Sequence, residues 1–119
     1  MKVILADNQP RVRFALRALL AQQAHVEIVG EARDVEMLQN LIDTAVPDLV
    51  ILDWELPGLA DFGSITALRA NNPNLYIVVL SGHNDARQNA LDAGTNRFVS
   101  KTDPPEKLLA ALENRGSRL

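Results

Sequence analysis

Four residues stand where chemistry would be done, each at the end of an apolar run. Val3-Ile4-Leu5-Ala6 leads into Asp7, Leu49-Val50-Ile51-Leu52 into Asp53, Ile77-Val78-Val79-Leu80 into Ser81, and Phe98-Val99-Ser100 into Lys101. Two carboxylates, a hydroxyl and an ammonium suit one reaction, phosphoryl transfer to a carboxylate. The nucleophile must be an exposed Asp, which Asp53 supplies. The arriving group carries negative charge toward a negative side chain, so cations are needed. Mg²⁺ prefers oxygen ligands and usually takes only one or two protein carboxylates, a demand that Asp7 and Asp53 meet. Lys101 can act as a point charge on one phosphoryl oxygen and Ser81 can donate a hydrogen bond to another. Singly, each residue has a plainer role. Asp7 or Asn8 can cap a helix, Asp53 can close a turn, Ser81 can cap, and Lys101 can be solvated. The set, not any member, carries the reading.

These residues are useful only if the runs before them lie parallel. Strand patterns fall near residues 2–6, 26–30, 48–53, 75–80 and 97–100. Helix-period segments lie between them, near 10–22, 35–45, 62–71, 84–92 and 105–114. Val12, Leu16, Leu19 and Leu20 share one helical face with Ala15 beside them, and Val35, Leu38, Leu41 and Ile42 share another. Asp34 is placed to cap the second helix. Asp103-Pro104-Pro105-Glu106 has the form of a helix start, and Gly94 stands where a helix stop is expected. Pro57-Gly58 marks a turn directly after the run that ends in Asp53. Strand–helix alternation with short loops predicts an α/β fold: one doubly wound, five-stranded parallel sheet with helices on both faces. Ligands of such sheets bind at the carboxyl ends of the strands, where all four residues stand.

Composition removes other classes. The 119 residues are 47% apolar and 23% charged, which fits one ordinary globular domain. No cysteine is present, so disulfides, thiolate metal sites and cysteine catalysis are excluded. The formal net charge of -3 gives no case for direct nucleic-acid binding. The apolar runs are too short for a membrane span, and no signal-peptide pattern opens the chain, so the expected location is cytoplasmic. The whole of 1–119 reads as one domain, with 114–119 a frayed tail or the start of a linker.

The ordered pieces Leu5-Ala6-Asp7-Asn8-Gln9-Pro10, Leu52-Asp53-Trp54-Glu55-Leu56-Pro57-Gly58, Leu80-Ser81-Gly82 and Phe98-Val99-Ser100-Lys101 resemble the receiver domain of bacterial two-component response regulators, over almost the full length. The resemblance implies a flavodoxin-like strand order 2-1-3-4-5. It also implies phosphorylation of Asp53 by a sensor histidine kinase or phosphotransfer protein. Asp7, position 8 (here Asn8), Asp53 and the backbone carbonyl of Glu55 would hold Mg²⁺, Ser81 and Lys101 would bind the phosphoryl group, and Ser81 and Phe98 would act as switch residues. The face formed by the fourth helix, fifth strand and fifth helix would be the output surface and a possible homodimer contact. The run Asp7-Asn8-Gln9-Pro10-Arg11-Val12-Arg13 looks most like receivers attached to helix-turn-helix transcription factors. Such a chain is a signalling domain that at most catalyses its own phosphorylation and dephosphorylation.

Two places depart from the family pattern. Most receivers carry two adjacent acids after the first strand, and this chain has Asp7-Asn8; weak Mg²⁺ binding is therefore expected. The loop after Pro57-Gly58, usually Met-Asp-Gly, is Leu59-Ala60-Asp61 followed by Phe62-Gly63. Asn8 also opens a second reading, a phosphorylation-independent interaction module that keeps the fold. A third, a phosphatase-like enzyme with an aspartyl phosphate, needs a substrate cap for which these loops leave little room. His83 reads as a solvated loop residue and His25 as structural or exposed. Trp54 is either a contact beside the site or packed, and Phe14 falls off the main helical face.

Overall fold

The computed structural model describes residues 1–59 and 64–114. The elements in chain order are β1 (Lys2–Ala6), α1 (Pro10–Leu20), β2 (Glu27–Ala32), α2 (Val35–Ala45), β3 (Leu49–Asp53), α3 (Ser64–Asn71), β4 (Tyr76–Ser81), α4 (Arg87–Asp92, led in by a 3₁₀ turn over Asn84–Ala86), β5 (Arg97–Ser100) and α5 (Pro105–Asn114). The strands form one sheet in the order β2-β1-β3-β4-β5, with every neighbouring pair parallel. The expected fold and strand order are both present. The expected start of the third helix at residue 62 and the tail beyond Asn114 lie outside the described residues, as do Ala60 to Gly63 of the altered loop.

The central strands are apolar without a break because both faces are covered. Their side chains still alternate. Ile4, Ala6, Val50, Leu52, Ile77, Val79 and Phe98 pack under α2, α3 and α4. Val3, Leu5, Leu49, Ile51, Tyr76, Val78, Leu80 and Val99 pack under α1 and α5. Two apolar layers thus clamp one sheet and fix which residues emerge at its edge. α1 buries Leu16 and Leu20 and partly buries Val12 and Leu19, whereas Ala15 is exposed.

The punctuation residues mostly act as the sequence predicts. The Asp34 carboxylate accepts from the Met37 amide at 2.8 Å and caps α2. α5 begins at Pro105, but the Asp103 carboxylate turns back to the Ser100 amide at 3.1 Å and closes the loop before the helix. Gly94 ends the α4 segment with φ of 110°, a left-handed conformation that favours glycine. A Cβ there would also lie 3.2 Å from Arg69 Cγ. Arg69 cannot retreat freely: its Nε donates to the Gly94 carbonyl at 2.9 Å and its Nη1 to the Leu75 carbonyl at 2.6 Å. Gly94→Ala is therefore expected to destabilise the fold by about 1–3 kcal/mol. Urea denaturation should show it as a lower midpoint at unchanged slope.

Candidate functional site

The site is built by the sheet register. β3 lies between β1 and β4, with Ala6 opposite Leu52 and Asp53 opposite Leu80. Asp7 therefore follows β1 directly beside the end of β3. Ser81 pairs with Ser100, and the Lys101 amide continues that ladder by donating to the Ser81 carbonyl at 2.8 Å. Asp7, Asp53 and Ser81 are all buried, so Asp53 is not the exposed carboxylate expected: the β3–β4 pairing carries it to the last position of the covered sheet.

Each strand end is then turned by its own side chain. Asp7 Oδ1 accepts from the Gln9 amide at 2.9 Å, Asp53 Oδ1 from the Glu55 amide at 3.0 Å, and Ser81 Oγ from the His83 amide at 3.0 Å. Ser100 Oγ takes the Thr102 amide in the same way at 3.2 Å. These local turns are what short polar side chains do when a strand stops. Asp53 thus closes a turn, as its plainer reading had it, whereas Asp7 and Ser81 make turns and not the helix caps considered for them; each carboxylate spends one oxygen on its turn.

Lys101 closes the group. Its ammonium lies 3.3 Å from Asp7 Oδ2 and 3.3 Å from Asp53 Oδ1. Burial pushes Asp53 above its ordinary value, and the charge on Asp7 adds to the rise; the Glu55 amide and Lys101 oppose it without cancelling it. Burial alone would push Lys101 down, but Asp53 and then Asp7 outweigh it and hold the ammonium above its ordinary range. Two carboxylates face one cation, so the cluster carries an uncompensated negative charge. Asp7 Oδ2 is also buried and, among the described residues, has no hydrogen-bond partner beside the Lys101 ion pair.

This arrangement can be compared with known proteins. Residues 3–113 match the response regulator receiver domain family. The chain belongs to that family. Similar curated proteins include the nitrate/nitrite response regulator NarL of Escherichia coli K12, 31% identical over 112 residues, which are 92% of this chain and 52% of NarL. The DNA-binding transcriptional activator EvgA of the same strain is 31% identical over 115 residues, 95% of this chain and 56% of EvgA. This receiver domain spans about half the length of the curated relatives it matches. Among solved structures, the isolated REC domain of RcsB from Salmonella enterica serovar Typhimurium, with the phosphomimetic BeF3-, is 33% identical with a TM-score of 0.84, over 96% of this chain and 88% of that one. A LuxR-family response regulator from Aurantimonas sp. SI85-9A1 is 27% identical with a TM-score of 0.89, over 98% and 86%. These relatives are named as response regulators or DNA-binding transcriptional activators, in keeping with the transcription-factor receivers that the Asp7–Arg13 run resembles. No described helix of the receiver is long and apolar enough to cross a membrane.

The residues present suit a divalent cation. A buried carboxylate oxygen that meets only an ammonium shared with a second carboxylate is a position that a hard cation would relieve. Among the described residues no cluster of three or more His, Asp or Glu side chains could hold a metal, so two carboxylates are what the protein offers. Asn8 stands exposed on the rim next to Asp7.

Other predicted residues fall as follows. Phe98 is buried, at 6% exposure, and is roofed by the Arg87 guanidinium 4.8 Å from its ring centre. Trp54 is partly buried against the core. His25 is exposed, with its carbonyl taking the N-terminal ammonium at 2.7 Å. Phe14 is exposed, and the Arg17 guanidinium lies 5.7 Å from its ring centre. His83 is exposed but not partnerless: its Nε2 lies 3.7 Å from Glu55 Oε1.

Sequence reasoning considered the Glu55 side chain only as a group that bends in toward the metal and did not anticipate its bond to Ser81, whose Oγ donates to Glu55 Oε2 at 3.1 Å. Position 55 is two residues past Asp53 and position 83 two past Ser81. The matching turns bring those two side chains together, and that spacing was the available signal.

The shifts give a prediction for stability. Asp53 titrates above 3.8 when folded, so the folded chain binds a proton there that the unfolded chain has released. Its contribution to stability therefore falls as pH rises through that window. Lys101 contributes stability below 10.5 and loses it as pH rises through its higher folded value. Asp53→Asn should accordingly be more stable than the parent at neutral pH without divalent metal, with the difference shrinking toward pH 3.8. Denaturation midpoints that drop at pH 7 in the variant would contradict a net cost of burying the Asp53 charge, to which Asp7 adds.

Proposed function

We propose that this receiver accepts a phosphoryl group on Asp53 from a sensor histidine kinase or phosphotransfer protein, with Mg²⁺, and so switches an output surface. The observation that carries the reading is the Lys101 ammonium, 3.3 Å from each of two buried carboxylates at the sheet edge. Asp53 Oδ1 is occupied by the Glu55 amide and faces Lys101, and among the described residues no hydrogen bond reaches Oδ2. Oδ2 is therefore the oxygen that attacks phosphorus. A bond forms from it to phosphorus as the bond to the donor's leaving atom breaks, and the electron pair leaves with the donor. Lys101 exchanges part of its carboxylate pairing for a phosphoryl oxygen. Ser81 exchanges Glu55 for another.

Asp7 and Asp53 would hold Mg²⁺, with the Glu55 carbonyl and the amide oxygen of Asn8 as further oxygen donors. When bound, the ion supplies charge neutralisation for the incoming group. The output face is α4–β5–α5, where Phe98 lies under Arg87, and it could also pair two copies. In the longer relatives the remaining length would carry the output, so control of transcription by this chain is part of the proposal, as is a cytoplasmic location. Residues 1–119 would form one receiver unit, with 114–119 a tail or the start of a linker.

Intact mass after treatment with acetyl phosphate and Mg²⁺ tests the reading. One phosphoryl group should add to the parent and none to Asp53→Asn. A phosphorylated variant would reject Asp53 as the acceptor. No gain in the parent would favour the other reading, a phosphorylation-independent module, for which Asn8 and the Glu55–Ser81 bond speak.

Asn8 should set the metal affinity. At about 4 Å two unit charges interact by about 4 kcal/mol at an effective dielectric near 20, and desolvation offsets much of it. Asn8→Asp should thus tighten Mg²⁺ by about tenfold to a hundredfold and speed phosphorylation. It should also weaken the metal-free fold by crowding Asp7 and Asp53. Titration of Mg²⁺ against Trp54 fluorescence checks the affinity, and equal values would place Asn8 away from the metal.

A further inference from the structure

We propose that Arg13 is a positioning residue for the Asp7 carboxylate, a brace that aims Asp7 Oδ2 into the site; this rests on the reading of Asp7 as a metal ligand. Asp7 has four polar atoms, and three of them are fixed by the protein. Its amide donates to the Ala32 carbonyl of β2 at 2.9 Å, and Oδ1 accepts from the Gln9 amide. Its carbonyl accepts from Arg13 Nη1 at 2.6 Å. Only Oδ2 is left, buried and, among the described residues, with no hydrogen-bond partner beside the Lys101 ion pair.

Arg13 is itself held. Its Nε donates to Glu31 Oε1 at 3.1 Å, so one planar guanidinium joins α1, β2 and the loop that carries Asp7. A planar fork of donors holds a carbonyl and a carboxylate in one fixed geometry, whereas the rotatable donors of an ammonium on a flexible stem fix it less. The bond to the carbonyl is charge-assisted and belongs to the stronger class. It restrains rotation of the peptide that follows Asp7, and with it the turn that orients the carboxylate. Outer residues that orient metal ligands commonly change metal affinity by about tenfold to a hundredfold when removed.

Arg17 provides an internal control. Its Nη1 meets both oxygens of the same Glu31 at 2.6 Å. Its guanidinium otherwise lies against the Phe14 ring, away from the site. If the Glu31 pairs matter only by tying α1 to β2, Arg17 should matter as much as Arg13. If Arg13 acts through the Asp7 carbonyl, only Arg13 should reach the metal.

The test is a titration with Mg²⁺ alone, read by NMR from the amide shifts of Gln9 and Trp54, on the full chain and three variants. Arg13→Ala should bind Mg²⁺ about tenfold more weakly than the parent. Arg13→Lys should also be weakened, and it decides the matter if Arg13→Ala does not fold. Arg17→Ala should keep the parent affinity. Parent-like affinity in a folded Arg13 variant, or equal losses in the Arg13 and Arg17 variants, would overturn the brace while leaving the metal site standing. No saturable Mg²⁺ response in the parent would overturn the metal-ligand reading and the brace with it.

Discussion

One ammonium between two buried carboxylates is the constraint around which the rest is arranged. Lys101 meets Asp7 and Asp53 at equal distance, yet one positive charge cannot neutralise two negative ones. Burial then penalises what is left over, which is why Asp53 is held above its ordinary value in spite of a cation and an amide beside it. The fold must supply the free energy to hold this cluster together. It does so with a sheet whose middle strands are sealed by apolar layers on both faces. The charges sit at the one edge where strands stop and loops begin, so neither layer has to contain them.

The fold was legible because burial on two faces leaves a plain trace. Continuous apolar runs of strand length, separated by helix-period segments, specify a covered parallel sheet. β2 was the least well bounded, expected at 26–30 and found at Glu27–Ala32. Its side chains are only partly buried up to Ala32, so hydrophobicity marks its end poorly. The site residues were legible for the same reason as the strands. A polar residue that ends a buried run must emerge at the edge, and four such runs ended in Asp7, Asp53, Ser81 and Lys101. Their strand-end placement follows from the pattern; the strand order that makes them neighbours came from resemblance to the family.

What stayed hidden were contacts between side chains far apart in sequence. Arg13 and Glu31 are 18 residues apart, and nothing in either neighbourhood announces the other. Asp103 shows a subtler limit. Its position before Pro104-Pro105 marks the helix correctly, but a carboxylate there can serve the helix or the preceding loop, and the Ser100 amide won. Sequence marks where a polar group is needed more reliably than which donor it will take.

The Ser81 hydroxyl has a single proton to donate. It is directed at Glu55 Oε2 or, more distantly at 3.4 Å, at the His83 carbonyl. A phosphoryl oxygen could receive that proton only if Glu55 gives it up, so the resting site is not an open receptacle. The same logic applies at Phe98. The ring is already buried, and any change of rotamer must part it from Arg87, a contact worth about 0.5–2 kcal/mol by type. Both of the proposed switch positions therefore begin from satisfied interactions. Phosphorylation would have to replace each with a stronger one, and the competing groups, Glu55 and Arg87, stand on the loop after β3 and at the start of α4. Under the proposed switching, the bias between two states would lie in these exchanges, since the sheet beneath them is too tightly packed to bend by degrees.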